Sequence, residues 1–150
     1  MKSLIILKSE HHGNTLRVAR ILSRELDAEI RDPKEIDPEF ALGFDHLTFG
    51  SGIYFWTMHE ELLNFAERLP KVDGKLASIF STAGMPSLKR HEKLRNILFE
   101  KGFHILGELS LPGWDTFGIL KLIGGIKRGR PNEQDLNKAQ EFARSLKEKK

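Results

Sequence analysis

Near its start the chain passes from a continuous apolar run, Leu4-Ile5-Ile6-Leu7, through Ser9-Glu10-His11-His12-Gly13-Asn14-Thr15, into the helical spacing of Leu16, Val18, Ala19 and Leu22. An unbroken apolar strand is the kind buried on both faces of a parallel sheet, and a helix starting directly from its end is the crossover such a sheet needs. The first N–H groups of that helix have no intrahelical partner and the helix dipole adds positive potential, so the turn offers a site for an anion. Gly13 lets the backbone approach closely, and Ser9, Asn14 and Thr15 add polar side chains. No lysine follows as it does in the glycine-rich motif of nucleotide hydrolases, which points to a bound, non-reacting phosphate monoester. The plainer reading is a strand-to-helix turn capped by Asn14 or Thr15.

The alternation of strand and helix continues to the end of the chain. A strand is expected over 2–8, a helix over 13–26, a short near-edge strand over 28–31 and a third strand over 46–51. Helical spacing over 58–69 places Leu62, Leu63, Phe65, Ala66 and Leu69 inward. A fourth strand follows over 76–81, then a helix capped by Ser87, carrying Leu88, Leu94, Ile97, Leu98 and Phe99 and stopped by Gly102. A fifth strand covers 103–111, a Gly-rich connection covers 112–131, and Asn132 with Asp135 opens a last helix. Such a pattern means a parallel sheet with helices on both faces. With 150 residues, 39% of them hydrophobic and 30% charged, one globular domain over 1–150 is expected.

The chain has no cysteine, which excludes disulfides, thiolate zinc sites and cysteine-ligated iron–sulfur clusters. Any redox function therefore needs a bound cofactor. The apolar run near the start is four residues long, short of a signal-peptide core or a membrane span, and a cytoplasmic location without membrane insertion is expected. The net charge of +3 is mildly basic and the cations are mixed with acids, which hints at an acidic partner without making a nucleic-acid surface.

In an open parallel sheet, ligands bind outside the carboxyl ends of the strands. Three loops there carry unusual chemistry. The anion loop is the first. The second is Ser51-Gly52-Ile53-Tyr54-Phe55-Trp56, with three consecutive aromatics; Tyr54 and Trp56 are expected on a ligand and Phe55 in the core. The third is Thr82-Ala83-Gly84-Met85-Pro86-Ser87, whose small residues let backbone approach a ring edge. One loop for phosphate, one for stacking and one for backbone hydrogen bonds describes a site for a flat, phosphorylated heteroaromatic ligand.

These loops, together with Gly50-Ser51-Gly52, Lys101-Gly102-Phe103, Gly113-Trp114-Asp115-Thr116 and Gly129-Arg130-Pro131-Asn132-Glu133, give the chain a resemblance to the short-chain flavodoxins and flavodoxin-like FMN proteins. The resemblance implies a doubly wound, five-stranded parallel sheet of order 2-1-3-4-5. It also implies one non-covalent FMN, its phosphate held by Ser9, His11, His12, Gly13, Asn14 and Thr15. Ser51, Gly52, Ile53, Tyr54, Phe55 and Trp56 would line one side of the isoalloxazine, and Thr82, Ala83, Gly84, Met85 and Ser87 another. The chain departs from the family in its longer, His-containing phosphate loop, in Trp56 at a position where related loops have a small residue, and in its basic charge.

The function implied is electron transfer between redox proteins, with acidic partners matched to Lys8, His11, His12, Lys89, Arg90, Lys127, Arg128 and Arg130. The alternative is an FMN-dependent oxidoreductase, a quinone reductase or protoporphyrinogen-oxidising relative, with the 112–131 connection as a substrate wall. A flavin-free interaction module is a third class. Asp115 and His91 are candidate acid–base groups in a reductase, with surface hydrogen bonding as the simpler role for each. Arg130 is open to either a carboxylate or a docking surface, and Trp114 is a second candidate for stacking. The adjacent His11 and His12 lack metal-ligand spacing, and a phospho-receiver reading fails because Leu7-Lys8-Ser9 and Gly50-Ser51 stand where its acids belong.

Overall fold

The computed structural model describes residues 1–10, 13–113 and 129–149. Five parallel strands run in the order β2-β1-β3-β5-β6: β1 (Ser3–Lys8), β2 (Glu29–Arg31), β3 (His46–Tyr54), β5 (Leu76–Ala83) and β6 (His104–Pro112). A two-residue strand, β4 (Thr57–Met58), pairs antiparallel with the end of β3. With β4 set aside, this is the expected 2-1-3-4-5 order, with the near-edge strand at the sheet's edge.

Alternation along β1 sends Leu4 and Ile6 to one face and Ile5 and Leu7 to the other, each side covered by helices. Helices α3 (Glu60–Arg68) and α4 (Glu92–Glu100) close the first face with Leu62, Phe65, Leu94 and Leu98. Helices α1 (Asn14–Leu26) and α5 (Glu133–Glu148) close the second with Val18, Ala19, Leu22, Ala139 and Ala143. A one-turn helix, α2 (Pro38–Leu42), N-capped by Asp37, adds Ala41 to the first core. Asn132 and Asp135 form the expected capping box on α5, and Ser87 caps a 3₁₀ turn at Leu88–His91 that leads into α4. At Gly102, φ is +93° and a side chain would strike the Val72 carbonyl, so the stop after α4 admits only glycine.

Four expectations change. The third strand runs on to Tyr54 and turns back, so Met58 lies in β4 and the helix begins at Glu60. Phe55 is 80% exposed at the tip of that hairpin, where its side chain faces away from both cores. Leu88 and Phe99 are also exposed: Leu88 lies on the 3₁₀ turn, outside the regular helix, and Phe99, one residue past Leu98, lies off the buried Leu94–Leu98 face of α4. His91, expected at the surface, is wholly buried, since it has partners for both ring nitrogens. Residues 114–128, including Trp114, Asp115, Thr116, Lys127 and Arg128, lie outside the described residues, as do His11, His12 and Lys150.

Candidate functional site

Strands β1, β3 and β5 are neighbours, so the loops leaving their carboxyl ends stand side by side. The chain runs outward from β1 in both directions, to β2 and to β3, which makes the β1–β3 boundary the switch point where such sheets open a crevice.

In the first loop Gly13 is the N-cap of α1 at φ +66°, a left-handed geometry that favours glycine, and neither Asn14 nor Thr15 caps the helix. Ser9 Oγ accepts from the Leu16 N–H at 3.2 Å. The first turn of α1 carries no acidic residue, whereas α2, α3, α4 and α5 each carry at least one. Acids there offset the positive end of a helix; among the described α-helices α1 alone has none in its first turn.

The second loop is the β3–β4 hairpin. Tyr54 pairs with Thr57, leaving Phe55 and Trp56 as the two turn residues at φ +50° and +68°. Two positive φ values fit the twist of a two-residue hairpin, but they are strained for bulky aromatics. Ser51, fully buried, shapes the loop by accepting from the His59 N–H at 3.0 Å and donating to the Gly52 carbonyl at 2.7 Å. Ile53 pairs with Met58, and the Tyr54 ring meets His59 edge-on at 4.9 Å. In the third loop Thr82 and Ala83 end β5, Gly84 is buried, Met85 is exposed, and Ser87 Oγ accepts from the Lys89 N–H.

Side chains bridge every pair of these loops. Thr15 Oγ1 and Thr82 Oγ1 share a buried hydrogen bond of 2.8 Å between the first and third. Glu10 lies 3.4 Å from His59 Nε2, joining the first and second. The Arg90 guanidinium sits 4.3 Å over the Trp56 ring, joining the second and third. No spacing signal marks Arg90, Glu10 or His59 for these roles, because each partner lies in a different loop.

Lys8 is not available to a ligand edge: its Nζ is 2.9 Å from Glu61, 3.5 Å from Asp32 and 4.0 Å from Glu10. The hydrogen bond to Glu61 raises the Lys8 pKa above its ordinary value, and hydrogen bonds from Lys8 and Lys34 hold Glu61 at about 2. Arg130 is likewise committed to a carboxylate, forking onto the buried Asp135. Trp56, 64% exposed, instead lies under Arg90, and the exposed Phe55 lines a cavity with Lys93; Met85 and Leu88 are exposed on the third loop and the turn that follows it.

No protein-family model matches the chain. An uncharacterized protein of Methanocaldococcus jannaschii is 45% identical over 148 residues, which is 97% of this chain and 98% of that protein. Among solved structures, the flavodoxin of Streptococcus pneumoniae TIGR4 superposes with a TM-score of 0.74 at 16% identity over 100% of both chains. Oxidised flavodoxin 2 of Bacillus cereus gives 0.74 at 21% identity, again over 100% of both. A flavodoxin from the domain Archaea gives 0.68 at 14%, over 99% of this chain and 98% of its own. The chain thus has the flavodoxin fold and belongs, with the M. jannaschii protein, to one family of flavodoxin-like proteins.

Proposed function

We propose that the protein binds one FMN non-covalently and carries electrons between partner proteins. The observation that carries this reading is the N-terminus of α1, without an acid in its first turn, set beside an aromatic hairpin and a small-residue loop and tied to both by side chains. The donor set fits the cofactor: N–H groups at a glycine-capped helix start suit a phosphate dianion, and an exposed indole suits a flat ring. When bound, the flavin supplies the electron chemistry. Ser9, Gly13, Asn14 and Thr15, with His11 and His12 of the same loop, would hold the phosphate. Gly52 to Trp56 would cover one side of the ring, and Thr82 to Ser87 would meet its edge.

Partners with acidic surfaces suit the exposed Phe55 and Trp56 of the hairpin tip, because Lys93 and Arg90 stand beside them. Docking of such a partner is expected to weaken steeply with salt. No helix among the described residues is long and apolar enough to cross a membrane, and a cytoplasmic site of action is part of the proposal.

The test is an absorption spectrum of the purified protein, followed by titration of flavin-stripped protein with FMN and riboflavin. Visible flavin bands and a clear preference for FMN are expected; no binding of either overturns the reading. Rapid, saturable oxidation of NAD(P)H by quinones would replace the carrier with a reductase.

A further inference from the structure

The loop expected to meet the ring edge is joined at its base by one buried contact. Ser81 on β5 is 1% exposed, and its Oγ lies 2.7 Å from Nε2 of His91, ten residues later. His91 Nδ1 is 2.9 Å from Oε1 of Glu108 on β6. Arg95 on α4 donates to both oxygens of Glu108, each at 2.8 Å.

Chemistry orients this chain of contacts. Burial opposes ionisation of Glu108, yet hydrogen bonds from His91 and Arg95 hold its pKa at about 2. An ionised carboxylate only accepts, so Nδ1 carries the hydrogen and donates to Glu108, while Nε2 meets the Ser81 hydroxyl, which also lies 3.4 Å from Ser110 Oγ. The groups match those of a hydrolytic triad, but the burial of Ser81 denies its oxygen to a substrate.

The sheet is adapted to make the contact. Ala77 pairs with Ile105 but Ser78 pairs with Gly107, so Leu106 is an extra residue in β6. Without this bulge Glu108 would stand opposite Phe80, on the face covered by α1 and α5; with it, Glu108 and Ser110 share the α4 face with Ser81.

We propose that Ser81, His91 and Glu108 form a clasp that presets the backbone of residues 83–87 for the planar edge of the ligand, with His91 as a positioning residue. The identity of the ligand rests on the FMN reading; the clasp does not. A loop free at its base must be ordered when the ligand arrives, at a cost to affinity, and one closed beforehand has already lost that freedom. Two further anchors act on the same loop: Thr82 bonds Thr15, and the Gly113 N–H donates to the Ala83 carbonyl at 2.9 Å.

His91→Gln and His91→Asn separate the two halves of the clasp. A glutamine amide reaches about as far as Nε2 and keeps the Ser81 contact, whereas an asparagine amide reaches about as far as Nδ1 and keeps the Glu108 contact. FMN affinity within about threefold of the parent is expected for His91→Gln, and a loss of about tenfold or more for His91→Asn. In the flavin-free protein, the amides of Gly84, Met85 and Ser87 should exchange faster in His91→Asn than in His91→Gln. Equal affinity loss in both, or loss that follows unfolding free energy alone, overturns the clasp. If the parent binds no FMN, the FMN reading fails and amide exchange alone decides: faster exchange confined to residues 83–87 upholds the clasp, and unchanged exchange overturns it. Should either variant fail to fold, Ser81→Ala is read by exchange with the same two outcomes.

Discussion

Thr15 Oγ1 and Thr82 Oγ1 lie 2.8 Å apart in a buried contact between the start of α1 and the end of β5. The contact ties the candidate phosphate loop to the candidate ring-edge loop. Thr15→Val leaves the Thr82 hydroxyl buried without this partner and should cost about 1–3 kcal/mol. Thr15→Val with Thr82→Val removes both groups and should recover part of that loss. Urea unfolding of the two single variants and the double variant measures the coupling; strictly additive losses would show that the hydroxyls do not depend on each other.

Asn14→Asp should trade function for stability. A carboxylate in the first turn of α1 offsets the open helix dipole and should add about 0.3–1 kcal/mol to the flavin-free protein. The same charge repels a phosphate, so FMN should bind about tenfold more weakly while riboflavin, which has no phosphate, is little affected. Equal weakening of both ligands would place the phosphate elsewhere.

The hairpin tip should tolerate Phe55→Asn with Trp56→Gly very well as a fold. Asparagine and glycine accept the positive φ values that the aromatics adopt under strain, and a gain of about 1 kcal/mol is expected. Quenching of bound flavin fluorescence should decrease in the same protein, because the indole is gone. Full quenching in this variant would show that another side chain stacks on the ring.

Glu108 predicts an acid limb of stability. Its folded pKa of about 2 lies below the ordinary 4.5, so the stabilisation is present above pH 4.5 and is lost as pH falls toward 2. The shift corresponds to about 3 kcal/mol. Glu108→Gln should be less stable than the parent at pH 7 and lose less stability between pH 5 and pH 2. Parallel pH profiles for the two proteins would deny Glu108 this part.

Much of the fold was legible in sequence because its signals are local. The apolar run of β1, the spacing of α1, the Asn132–Asp135 cap and the stop at Gly102 each act within a few residues. The three candidate loops were found for the same reason: each follows directly from a strand end. The hairpin was missed because the expected turn residues, glycine and asparagine, are absent from its tip, and Phe55 reads as core until the chain is seen to reverse there. The burial of His91 was not legible because its partners, Ser81 and Glu108, lie on two different strands.

By itself the sequence determined the order of strands and helices, the doubly wound class and the chemistry brought to one edge of the sheet, since propensity, periodicity and capping operate along the chain. Only the tertiary structure decided how that chemistry is used. It spent Lys8 on Glu61 and Arg130 on Asp135, set Arg90 over Trp56, and moved Glu108 to the face of His91 through one extra residue in β6. Those outcomes depend on distances between side chains remote in the chain, and such distances exist only once the sheet has paired and its helices have packed.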